Sequence, residues 1–112
     1  MKKFDILNQI SAIGVVAVVR GNSKDEAIKI ADACIAGGVC AIELTYTVPG
    51  ARGIIEALVE KYKDNKEVVI GAGSVLDPET CKGAIEAGAN ILVAGSAIFK
   101  CEDREDAIKK LR

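Results

Sequence analysis

The sequence contains no histidine and no tryptophan, it has two prolines, and aromatic residues make up 4% of it. Without histidine there is no Ser-His-Asp triad, no imidazole base and no imidazole metal ligand. So few aromatics cannot build the stacking platforms that hold single-stranded nucleic acid. Neither sign of charge is in excess: 15 Lys and Arg stand against 16 Asp and Glu, a net charge of -1. No basic footprint therefore points to nucleic acid. No apolar run reaches the roughly 18 residues of a membrane span. The first residues, MKKFDILNQIS, lack the apolar core of a signal peptide because Asp5, Asn8 and Gln9 interrupt it. A cytoplasmic protein with no membrane and no nucleic-acid partner is expected. Cys34, Cys40, Cys81 and Cys101 show no CxxC spacing, which argues against a zinc site and leaves them as small core hydrophobes. Neither a metal nor a cofactor is expected.

The chain does carry a regular beat. Four short apolar runs, at 15–20, 40–45, 67–71 and 90–95, alternate little, as buried parallel strands do. Helical patterns separate them. Ser23 and Glu26 form a capping box, and the helix that follows puts Ala27, Ile30, Ala31, Cys34 and Ile35 on one side until Gly37-Gly38 stop it. Pro49 suits the first turn of a second helix, with the stripe Ile54, Ile55, Leu58, Val59 and Tyr62. Asp77-Pro78 opens a third, with Cys81, Ala84 and Ile85 inward and Gly88 at its end. A fourth runs from about Asp103 to Arg112, and a short helix at 5–13 precedes everything. The result is βα repeated four times at roughly 25-residue spacing, the beat of right-handed βαβ units. With 112 residues the chain makes a single domain, 1–112, and about half of an eight-unit barrel, which needs about 250 residues.

Two places on this scaffold invite chemistry. AGSVL (72–76) and AGSAI (94–98) recur one βα unit apart, each where a strand is expected to give way to a helix. Helix N-termini leave backbone N–H groups unpaired, and glycine lets an anion approach them closely. Gly73, Ser74, Gly95, Ser96 and Ala97 are therefore candidate phosphate-binding residues. Arg20 and Glu43 are charged residues near the carboxyl ends of adjacent apolar strands, the edge where α/β folds bind ligands. Alternation puts Glu43 on the face opposite Ile42 and Leu44. It is either half of a structural pair with Arg20 or a general acid/base. Thr45, Thr47 and Ser74 surround the same edge as hydrogen-bond donors.

The stretch VVAVVRGNSKDEAIKIADACIAGGVCAIELTYTVPGA, followed by VVIGAGSVLDPETCKGAIEAGA, resembles the first half of 2-keto-3-deoxy-6-phosphogluconate (KDPG)/4-hydroxy-2-oxoglutarate (KHG) aldolase. The resemblance covers about residues 4–89. It implies a TIM (β/α)8 barrel and a class I lyase that yields pyruvate and glyceraldehyde 3-phosphate through a lysine Schiff base. It also implies a proton-shuttle role for Glu43, and substrate contacts for Arg20, Thr47 and Ser74. The family's Schiff-base lysine lies on a sixth strand, which this chain lacks, and no lysine here is expected at the carboxyl end of a strand. The last segment, NILVAGSAIFKCEDREDAIKKLR (90–112), resembles the closing strand–helix unit of ribulose-phosphate 3-epimerase. That likeness implies phosphate held by the amides of Gly95, Ser96 and Ala97, without that family's metal ligands.

The expected fold is thus α/β, the (βα)4 half of a TIM barrel with outer helices. The leading functional expectation is a truncated or chimeric half barrel that pairs with itself as a homodimer. It would bind phosphate or a small phosphorylated sugar or keto acid. An active KDPG-type lyase and a monomeric, flavodoxin-like binding module are the alternatives.

Overall fold

In the computed structural model, which describes residues 3–111 with backbone alone at Ser96 and Ala97, the four apolar runs pair side by side and parallel. β1 (Val16–Val19), β2 (Ala41–Thr45), β3 (Val69–Gly73) and β4 (Ile91–Leu92) make one sheet in the order β1-β2-β3-β4. The order is sequential and never reverses, so this is not the doubly wound, flavodoxin-like arrangement. Right-handed crossovers between consecutive parallel strands place their helices on one side. Those helices are α2 (Lys24–Ala36), α3 (Ala51–Lys61) and α4 (Pro78–Glu86), and the single turn α5 (Ser96–Phe99) and α6 (Arg104–Leu111) follow β4.

The register explains the core. Val19, Leu44, Ala72 and Leu92 stand in one row across the sheet, and Ala17, Ile42 and Ile70 in another. These rows meet Ala27, Ala31, Ile54, Ile55, Leu58, Cys81 and Ala84 from the helices in the main hydrophobic cluster. The opposite face carries Val16, Val18, Glu43, Gly71 and Ile91. There Val16 is 43% exposed and Val18 52%. The first helix, α1 (Lys3–Ile13), packs against β3 and buries Ile6. Its Gln9 Nε2 donates to the Lys66 carbonyl just before that strand, at 2.5 Å, so α1 covers the amino-terminal ends of the strands.

Local signals behave as their chemistry dictates. Ser23 Oγ accepts from Glu26 N–H at 3.2 Å, and Glu26 Oε2 reaches back to Asn22 N–H at 3.4 Å. Asp77 caps α4 by accepting from Thr80 N–H at 2.7 Å. Gly38 (φ +99°) and Gly88 (φ +100°) turn the chain out of α2 and α4 in the left-handed region that other residues avoid.

Four expectations need correction. The third strand begins at Val69, because consecutive turns (Asn65 N–H to Tyr62 O, Val68 N–H to Asn65 O) hold the preceding residues. It then runs on to Gly73 because Leu44 and Thr45 pair with Ala72 and Gly73. The fourth strand shrinks to Ile91–Leu92, having only β3 to pair with among the described residues. Pro49 lies outside α3, whose N-cap is Gly50. Ile30 (36% exposed) and Ile85 (56%) do not face inward. The small Ala27 and Ala31 bring α2 down on the sheet and leave Ile30 on its flank. Ile85 looks past the β4 edge, into a groove of about 460 Å³ that Leu7, Ile91 and Leu92 also line.

Candidate functional site

Polar groups gather at the carboxyl ends of β2 and β3. Thr45, the last residue of β2, is 1% exposed, yet its hydroxyl is fully engaged. It donates to Ser74 Oγ at 2.9 Å, accepts from Thr47 N–H at 3.3 Å, and lies 3.0 Å from Thr47 Oγ1. Ser74 has φ +56°, a left-handed conformation that costs a residue with a Cβ about 1–2 kcal/mol. That backbone turn brings its hydroxyl to Thr45. Three hydroxyls expected at one edge from sequence are thus joined in one network.

Glu43 lies on the open face, half-buried, with Val18 and Gly71 as its register neighbours. Burial pushes its carboxyl above the usual glutamate value, and the positive charge of Arg20 partly offsets that. Arg20 itself is exposed one residue past β1, and among the described ion pairs none joins it to Glu43. Arg20 acts on Glu43 through space rather than as a contact partner.

The two Ala-Gly-Ser turns are neighbours, since Val93 N–H donates to Ala72 O at 2.8 Å and Val75 N–H to Val93 O at 3.4 Å. They are not equivalent. Only the second leads straight into a helix, the α5 turn that starts at Ser96; Ile98 and Phe99 N–H both donate to Gly95 O there. The first is separated from α4, whose end is already occupied by the Asp77 carboxylate, held below the usual range by the Thr80 hydrogen bonds. Gly95 is exposed, and a Cβ on it would meet nothing within 4 Å. The side chains of Ser96 and Ala97 lie outside what the structure describes.

Sequence reasoning overlooked one residue, Tyr46, and one contact, that of Gly73 with Glu43. Tyr46, next to Thr45, sends its phenol toward Arg52 and Glu56 of α3, where the buried oxygen has no partner and burial raises its pKa. Gly73 proves to lie beneath Glu43: a Cβ built on it would be 2.6 Å from Glu43 Cδ. No pattern of spacing signals either contact. Among the described residues, no group of three His, Cys, Asp or Glu is placed to hold a metal, and no helix is long and apolar enough to cross a membrane.

Consecutive parallel strands in unreversed order, with polar side chains at their carboxyl ends, are the arrangement of the barrel class of α/β proteins. Within that class the chain belongs to the KDPG and KHG aldolase family, whose model matches residues 6–103. It is 34% identical over 80 residues to the KHG/KDPG aldolase of Escherichia coli, covering 71% of this chain and 36% of that one. It is 32% identical over 121 aligned positions to the ribulose-phosphate 3-epimerase of Methanocaldococcus jannaschii, covering 97% of this chain and 50% of that one. Among solved structures, the KDPG aldolase of Zymomonas mobilis with 3-phosphoglycerate superposes with a TM-score of 0.69 at 30% identity, over 83% of this chain and 43% of that one. The chain thus spans half or less of the length of these relatives. The aldolase match runs past residue 89 and the epimerase alignment spans most of the chain, so the two resemblances overlap rather than abut.

Proposed function

We propose that this chain acts as one half-barrel domain of KDPG-aldolase type, in the cytoplasm, that binds a phosphorylated keto acid or sugar and associates with a second copy, without cleaving carbon–carbon bonds by itself. The observation that carries this reading is the joined cluster of Thr45, Thr47 and Ser74 beside Glu43, on strands that contain no lysine. The hydroxyls and Arg20 would hold the keto-acid end of the ligand. Glu43, whose proton affinity burial raises, is suited to take up and release a proton there. The phosphate falls to the backbone N–H groups of Gly95, Ser96 and Ala97, on the turn next to that of Ser74. Gly73, though named for the same anion by its turn, has the Glu43 carboxylate over it. That a related aldolase structure holds 3-phosphoglycerate supports a phosphorylated ligand.

A class I aldolase needs a desolvated amine. The described lysines lie on helices, in turns or past α5, as Lys66 and Lys100 do. Borohydride treatment with pyruvate tests this directly: no adduct is expected by mass spectrometry, and a trapped lysine would establish the lyase reading instead. Inorganic phosphate should raise the melting temperature by binding the folded form alone. Gly95→Leu, whose Cβ meets nothing within 4 Å, should abolish that rise while changing the melting temperature without phosphate little.

A further inference from the structure

The ladder sets Glu43 beside Gly71 and Thr45 beside Gly73. The Glu43 carboxylate does not rest over its own register partner. Above Gly71 the space is filled by Ile91, whose Cγ2 would be 2.5 Å from a Cβ built there. The glutamate side chain instead leans across β3 toward the carboxyl ends of the strands. A Cβ on Gly73 would overlap Glu43 Oε1, and would stand 2.6 Å from Cδ and 3.0 Å from Cγ. Gly73 does not have a positive φ, so its backbone makes no demand for glycine. The three atoms nearest that missing Cβ all belong to Glu43.

We propose that Gly73 is a positioning residue: its bare Cα is the seat of the Glu43 carboxylate, and the absence of a side chain there holds the acid at the mouth of the half barrel, level with Thr45 and Ser74. Gly71 has a different task, since what it makes room for is the apolar Ile91 on the neighbouring strand. The pair Gly71 and Gly73 thereby sorts the two side chains that compete for the open face of β3, the apolar one inward and the carboxylate toward the ligand edge. The role assigned to the acid rests on the function proposed above. The seat itself is a statement about two side chains and is tested without any ligand.

The test is a pair of readouts on Gly73→Ala, Glu43→Ala and the double variant. The first is the carboxyl carbon resonance of Glu43, followed by NMR through an acid titration. In Gly73→Ala it should titrate closer to the ordinary glutamate value than in the parent, because the displaced carboxylate moves into solvent. The second is thermal stability. Gly73→Ala should shift the melting temperature of the parent, where it meets the carboxylate, and leave that of Glu43→Ala almost unchanged. An unaltered Glu43 titration in a folded Gly73→Ala protein overturns the seat, as does an equal change of stability in both backgrounds. If Gly73→Ala alone does not fold, the double variant decides: a folded double variant supports the seat and an unfolded one overturns it. Phosphate and pyruvate binding to the parent protein is scored separately. Absence of binding refutes the functional reading while leaving the seat standing, and binding without coupling between positions 43 and 73 does the reverse.

Discussion

Glu43 holds its proton more tightly in the folded protein than an unfolded chain would, because burial raises its pKa more than Arg20 lowers it. The sign of the linkage follows. Above the folded pKa the buried charge costs stability; as pH falls through that value toward the unfolded one the cost disappears. Glu43→Gln should therefore be more stable than the parent at pH 7, with the gap closing on acidification, measured by urea unfolding at several pH values. A destabilised Glu43→Gln would mean that the carboxylate is a structural contact. The surface trio of Asp32 on α2, Lys61 at the end of α3 and Tyr62 just past it runs the other way. Asp32 accepts from Lys61 at 2.6 Å and from Tyr62 Oη at 2.5 Å, which lowers its pKa and pushes Tyr62 up to about 12. The Tyr62 contribution is whole below pH 10 and vanishes as pH rises through about 12; that of Asp32 vanishes as acid protonates it. Tyr62→Phe should remove the Tyr62 part of this dependence, seen as a flatter alkaline limb of stability against pH. At this scale the sequence was only partly legible. Glu43 stands out as a charge in an apolar strand, but where its carboxylate rests depends on Ile91, 48 positions further along.

At the scale of elements, caps and stripes carry the information. Ser23→Ala removes the acceptor for Glu26 N–H and should cost about 1 kcal/mol, checked by denaturant unfolding. Leu58→Ala empties a fully buried site between α3 and the sheet and should cost about 2–5 kcal/mol by the same measurement. The helices were readable because each has its own stop and start within a turn of its apolar stripe. Strand limits were not, since a strand ends where its partner ends. β3 lengthens to match Thr45, and β4 shortens for want of a second neighbour among the described residues. Ile85 was misjudged for a related reason: its stripe is apolar, but the sheet beneath it stops at β4.

Taken whole, the sheet has two outer strands, each paired on one side only among the described residues. β1 exposes Val16 and Val18, and β4 is followed by the exposed Val93. Such edges and apolar faces favour pairing with another chain, and eight parallel strands from two copies would close the sheet on itself. Light scattering at micromolar concentration should report a dimer. Val18→Lys, which puts a charge on the open face of an edge strand, should shift it to monomer. A compact monomer of the unaltered protein would remove self-association from the proposed function.

The order of helices and strands and the Ser23 and Asp77 caps were set by the sequence alone, because each depends on residues within one or two turns of one another. The family likeness was also legible there, since its motifs are contiguous. Tertiary structure decided what depends on distant partners: how far each strand pairs, which glycine receives the Glu43 side chain, that Arg20 meets that glutamate only through space, and which of two matching Gly-Ser turns opens a helix. Those outcomes are settled by competition for space and hydrogen bonds between strands, and no single stretch of sequence contains both competitors.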